Sequence, residues 1–167
     1  MSAETRHDPQ GWTIEPTPVH DPLAAAVLYE YADELVSRYF GRPSAPEEIA
    51  MAEGDGADLV EPRGVLLLGR DPAGEPVGCV GVRWLDGGEA ELTRVFVRRA
   101  ARRGGAGARL VGAAEDAARA RGAGLVRLNT RLDLTEAIAL YRRLGYEPTD
   151  PYGDDPYAEA WFAKRLH

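Results

Sequence analysis

With 167 residues, 44% of them hydrophobic and 28% charged, the chain is long enough for one domain with a buried core and short for two. Its net charge of −7 opposes general binding to nucleic acid, and no apolar run reaches membrane-spanning length. Cys79 is the lone cysteine, which excludes an internal disulfide; with a polar start that does not read as a signal peptide, it sets the expectation of a cytoplasmic protein that meets no membrane.

Residues 1–10 are expected to fray, leaving 11–167 as a single domain. Residues 12–15 suit a short strand stopped near Pro16 and Pro18. Asp21-Pro22 then starts a helix, with Asp21 as cap and Pro22 in the first turn; Leu23, Val27, Leu28, Tyr31, Leu35 and Tyr39 follow at near-helical spacing, and Gly41-Arg42-Pro43 ends it. Residues 44–62 mix acids, Gly and Ala and read as a short helix and a loop. Three strands follow, 64–70, 76–85 and 89–98, joined by turns at Asp71-Pro72-Ala73-Gly74 and Asp86-Gly87-Gly88, so an antiparallel meander is expected.

The pattern then changes. A glycine loop, Arg102-Arg103-Gly104-Gly105-Ala106-Gly107, leads into an alanine-rich helix over 108–121. A strand is expected at 125–130, a helix at 135–144 with Ala137, Leu140, Tyr141 and Leu144 on one face, and two short strands at 146–147 and 158–164.

A glycine loop before a helix N-terminus exposes unpaired backbone N–H groups at the positive end of the helix dipole, which suits an anion. Five arginines between positions 98 and 109 support a phosphate or pyrophosphate site; a purely structural turn is the other reading of the segment. A P-loop is excluded because Gly107 is followed by Ala108-Arg109, without the lysine and hydroxyl. A dinucleotide fingerprint fails because Leu110 stands where its third glycine belongs.

The run Glu91-Leu92-Thr93-Arg94-Val95-Phe96-Val97-Arg98, the loop at 102–107, Leu128-Asn129-Thr130 and the ending Ala137-Ile138-Ala139-Leu140-Tyr141-Arg142-Arg143-Leu144-Gly145-Tyr146 stand in one order. In that order they resemble the GNAT family of N-acetyltransferases, with its R/Q-x-x-G-x-G/A loop and A-x-x-L-Y-x-x-x-G-F/Y ending. The resemblance spans residues 64–147 well. It departs at Arg99, where the family often has proline, and at Leu134, where many members carry asparagine; Leu134 is therefore not taken as a ligand.

The resemblance implies an α/β fold: a mixed, mostly antiparallel sheet, splayed in the middle, with helices on both faces. It implies acetyl-CoA as cosubstrate and transfer of its acetyl group to a primary amine by direct attack in a ternary complex. Val95, Phe96 and Val97 would offer backbone groups to the pantetheine arm. Arg102, Arg103, Gly104, Gly105, Ala106, Gly107 and Ala108 would hold the pyrophosphate. Tyr141 would contact the cofactor and protonate the departing sulfur. Glu91, four residues before Val95 and expected on the same strand face, is the candidate general base, with Glu89 as the fallback.

His7, His20 and His167 do not cluster, so no metal is expected, and none of the three serines sits in a nucleophile elbow. Trp84, Trp161, Tyr152 and Tyr157 are candidates to line the acceptor side. The helix of 21–40 and the 44–62 segment are expected to shape that pocket, and the acidic loops slightly favour a cationic acceptor. The alternative function is a non-catalytic acyl-CoA-binding module. A homodimer is an expectation by analogy with such folds.

Overall fold

The computed structural model describes residues 4–7 and 11–167. Strands β1 (Arg6–His7) and β2 (Thr13–Pro16) precede helices α1 (Pro22–Phe40) and α2 (Pro46–Glu53) and a 3-10 turn at Ala57–Leu59. The meander is β3 (Gly64–Arg70), β4 (Pro76–Leu85) and β5 (Glu89–Val97). After a second 3-10 turn at Arg99–Ala101 come α3 (Ala106–Ala120), β6 (Leu125–Thr130), α4 (Thr135–Arg143), β7 (Glu147–Pro148) and β8 (Ala160–Arg165). One sheet holds them in the order β1-β2-β3-β4-β5-β6-β8-β7, antiparallel at every pairing but β5–β6.

Local chemistry sets most boundaries. Asp21 caps α1 by accepting the N–H groups of Leu23 and Ala24 at 2.9 and 3.1 Å, and the Gly41 N–H closes it on the Ser37 carbonyl. One expectation is corrected. The helix after the glycine loop begins at Ala106, two residues early, because a left-handed Gly105 already turns the chain into it. Within the start expected to fray, Arg6 and His7 pair with Ile14 and Thr13; residues 1–3 and 8–10 lie outside the described residues.

The sheet separates two cores. On one face, Leu110, Val111, Ala114 and Ala118 of α3 and Tyr141 of α4 pack against Leu67, Val80, Val82 and Leu92. Alanine at these α3 positions lets the helix lie close to the strands. Its buried Glu115 is satisfied by the Tyr146 hydroxyl at 2.7 Å and the Lys164 ammonium at 3.1 Å. On the other face, Ala24 and Val27 of α1 pack against Leu66, Leu68, Cys79 and Phe96. Among the described residues no helix is long and apolar enough to cross a membrane.

Candidate functional site

The site begins where the sheet parts. β5 pairs with β6 only through Glu89–Leu125, Ala90–Val126 and Glu91–Arg127, whereas β6 pairs with β8 along its whole length. Past Glu91 the side of β5 that faces β6 has no strand beside it. Such an edge presents backbone N–H and C=O groups to any extended chain that enters.

A β-bulge shapes that edge. Gly81 stands opposite Thr93 and Cys79 opposite Phe96, so two residues of β5, Arg94 and Val95, face Val80 alone. Arg94 takes the left-handed conformation, φ 51°, which costs a side-chain-bearing residue free energy. Its guanidinium forks onto Asp58, Nη1 to Oδ2 at 2.9 Å and Nη2 to Oδ1 at 3.1 Å, anchoring the bulge to the 3-10 turn before β3. Asp58 lies 3.6 Å from Arg83, which in turn lies 2.6 Å from Glu91. Burial works to raise the Asp58 carboxyl, but the hydrogen bonds and charge of Arg94 and the charge of Arg83 outweigh it, and the net direction is down.

The bulge overturns the shared face expected of Glu91 and Val95. One extra residue between them shifts the alternation. Glu91, Thr93 and Phe96 therefore share a face, while Val95 falls on the other with Leu92 and packs on the α3 side. Glu91 is 6% exposed, paired with Arg83, with the Tyr152 ring beside it; burial, then the Glu91 charge, pushes the Tyr152 phenol up. Glu89, the fallback, is tied to Arg127 at 2.6 Å.

The glycine loop follows β5 through the 3-10 turn at Arg99–Ala101. Arg103 and Gly105 both have positive φ, 71° and 78°, and no side chain caps α3. A left-handed residue leading into an uncapped helix turns successive N–H groups toward one spot, the geometry of an anion nest. Gly107 allows close packing instead: a Cβ there would stand 2.9 Å from Leu140 Cδ2, where α3 meets α4, and the Leu140 side chain would have to shift. Arg102, expected to lend charge to this nest, is bound at 2.8 Å to Glu34 of α1, and its Nε donates to the Val97 carbonyl at 2.9 Å. That carbonyl is therefore already engaged. Arg98 is held by Glu30 at 2.8 Å, and Arg109 sits over the Trp12 ring. Arg103 is exposed beside the loop.

Beside the bulge, where the sheet parts, opens a cleft of about 460 Å³. Thr93, Arg94 and Val95 form one wall, Asn129 and Thr130 of β6 the other, and Tyr141 of α4 lies between. Tyr141 is 6% exposed, edge-on to Tyr146 at 5.9 Å. Burial pushes its phenol up, and Tyr31 adds in the same direction, so it carries its proton at neutral pH. The structure thus gathers Val95 and Tyr141 at one opening, sets Gly107 of the loop segment against Leu140, the neighbour of Tyr141 on α4, and leaves Glu91 one side chain behind the wall, across Arg83. Of the four aromatics expected on the acceptor side, Tyr157 lines the cleft. Trp84 instead lies under Arg121 and donates to Glu61 at 3.2 Å, and the Trp161 and Tyr152 polar atoms are buried without a hydrogen bond. As expected, α1, α2 and the 3-10 turn supply the remaining wall, through Tyr31, Tyr39, Phe40, Met51 and Asp58. Asp155, which also lines the cleft, had no signal in sequence beyond an acidic stretch. Among the described residues no group of His, Cys, Asp and Glu could hold a metal.

Comparison with known proteins agrees with this geometry. The Acetyltransferase (GNAT) family matches residues 27–146. An IAA acetyltransferase of Azospirillum brasilense is 41% identical over 139 residues, 81% of this chain and 88% of that protein. In fold, a GNAT-family acetyltransferase of Staphylococcus aureus has a TM-score of 0.76 at 15% identity, covering 94% of this chain and all of the other. A PaiA N-acetyltransferase of Thermoplasma acidophilum, solved with coenzyme A, has a TM-score of 0.71 at 17% identity, covering 93% of this chain and 99% of that one. A splayed sheet, an uncapped helix start beside the gap and a matching family over most of the chain lead to one conclusion: the protein belongs to the GNAT family of acetyltransferases and is an acetyl-CoA-dependent N-acetyltransferase.

Proposed function

We propose that the amides of residues 103–108 hold the pyrophosphate of acetyl-CoA, that its pantetheine arm lies along Val95–Val97, and that Tyr141 protonates the departing sulfur. The supporting observation is the placement of Tyr141: a protonated, nearly buried phenol on the cleft wall where β5 and β6 part. The loop suits a diphosphate because its N–H groups converge without a side-chain cap. The open edge of β5 suits an extended amide chain, with one group fewer than the strand offers because Arg102 occupies the Val97 carbonyl.

The acceptor enters between α1, α2 and the bulge. Its ammonium gives up one proton and its nitrogen forms the new C–N bond; as the C–S bond breaks, the thiolate takes the Tyr141 proton and the second proton leaving the nitrogen restores the phenol, so one proton is released overall. We assign the incoming proton to Glu91, reached by water past Arg83, since Glu91 is the buried carboxylate at the root of the splay. We place the enzyme in the cytoplasm, in keeping with its single buried Cys79.

The test is Tyr141→Phe. Turnover should fall about a hundredfold, in the range of a lost general acid, while calorimetric affinity for acetyl-CoA stays close to wild type. Wild-type turnover in this variant removes the role. Glu91→Gln should displace the acidic limb of the pH–rate profile, and an unchanged limb returns Glu91 to a structural ion pair.

A further inference from the structure

The charges of the cleft can be followed one by one. Three arginines line it, Arg83, Arg94 and Arg131. Each is committed: Arg83 to Glu91 at 2.6 Å, Arg94 to Asp58 by its fork, and the buried Arg131 to Asp133 at 2.8 and 2.9 Å. The lining carboxylate Glu48 is held by Arg42 at 2.9 Å. That leaves Asp155, which has no cationic partner among the described residues; its Oδ1 accepts the Tyr157 N–H at 2.8 Å, and its other oxygen has no such bond. The wall therefore carries one uncompensated negative charge and no uncommitted positive one.

The rest of the acceptor end is aromatic. Tyr39 meets Phe40 edge-on at 5.0 Å and Tyr157 edge-on at 5.4 Å. All three are about half exposed, 52%, 49% and 57%, and Met51 beside them is 84% exposed. Isolated exposed apolar residues are ordinary, but this cluster gathers from α1, α2 and the segment before β8 around one opening.

Building on the acetyltransferase reading, we propose that the acceptor is an arylalkylamine: a primary amine on an aromatic body, without a carboxylate. The ammonium is drawn by Asp155, and the aryl group packs against Tyr39, Phe40 and Tyr157. A carboxylate on the acceptor would meet no cation free to pair with it: recruiting Arg83 or Arg94 would strand the sheltered carboxylate each one holds, and the buried Arg131 is tied to both Asp133 and the Leu35 carbonyl. A polyamine would find one open acid for its several charges.

The test uses the full chain with saturating acetyl-CoA and reads released CoA for phenethylamine, phenylalanine and putrescine. The value of kcat/KM should be at least about tenfold higher for phenethylamine than for the other two, the scale of one charge-assisted contact. Equal or better use of phenylalanine or putrescine overturns the proposal. Calorimetry of the same three amines on the CoA complex gives an independent reading. If no amine is turned over but phenethylamine alone binds, the acceptor site stands and the catalytic reading falls; equal binding of all three overturns the site itself. Asp155→Asn should raise KM for phenethylamine about tenfold with kcat and the KM for acetyl-CoA nearly unchanged. An unchanged KM for phenethylamine removes Asp155 from the site.

Discussion

The bulge of β5 rests on a residue whose backbone and side chain act against each other, and two substitutions separate the effects. Arg94 sits at φ 51° and forks onto Asp58, with the two side chains 17% and 18% exposed. Breaking a fully buried pair costs roughly 3–5 kcal/mol and an exposed one about 1 or less, so loss of this half-sheltered fork should cost about 2 kcal/mol. Arg94→Ala loses the fork and keeps the left-handed penalty of about 1–2 kcal/mol. Arg94→Gly loses the fork, sheds that penalty, and gives back about 0.5–1 kcal/mol to the entropy of the unfolded chain. The glycine variant should therefore be the more stable of the two by about 1 kcal/mol, roughly a fivefold difference in the unfolding equilibrium. Urea unfolding at neutral pH measures this, and calorimetry with acetyl-CoA should show the same order, since only glycine keeps the bulge without strain. Equal stabilities, or alanine above glycine, would refute the reasoning.

The same fork gives a pH dependence. Because the folded Asp58 carboxyl is held below its ordinary 3.8, its contribution is complete above that value and is lost as pH falls through the depressed folded value. The stability gap between wild type and Asp58→Asn should be constant near neutrality and close in acid; a gap that persists in strong acid contradicts the assignment. Glu115→Ala should cost about 3 kcal/mol in urea unfolding, because it orphans the Tyr146 hydroxyl and the Lys164 ammonium together, and a loss under about 1 kcal/mol would show that neither bond matters. Gly105→Ala should cost about 1 kcal/mol from backbone conformation alone, since a Cβ there meets no atom within 4 Å; no loss would mean that the loop relaxes. Cys79, buried with its thiol pushed up to about 12, should resist Ellman's reagent in mildly alkaline buffer until urea unfolds the chain; rapid reaction with the folded protein would contradict its burial.

Much of this protein is written in local chemistry. The Asp21-Pro22 start of α1, the turns at 71–74 and 86–88 that make the meander, and the glycine loop before α3 each follow from residues adjacent in the chain. The paired motifs at 102–107 and 137–146 then carried the family, the splayed sheet and the place of Tyr141. What stayed hidden depends on residues far apart in sequence. Strand alternation put Glu91 and Val95 on one face, and a single extra residue at Arg94, held by Asp58 from 36 positions away, parted them. The arginines at 98 and 102 read as a free anion site, yet Glu30 and Glu34 of α1, 68 positions earlier, hold both. The aromatic rim joins Tyr39 and Phe40 to Tyr157 from opposite ends of the chain. Periodicity and turn chemistry are set by neighbours a few residues apart, whereas register shifts and ion pairing are settled only when the packed sheet decides which distant charge lies within reach.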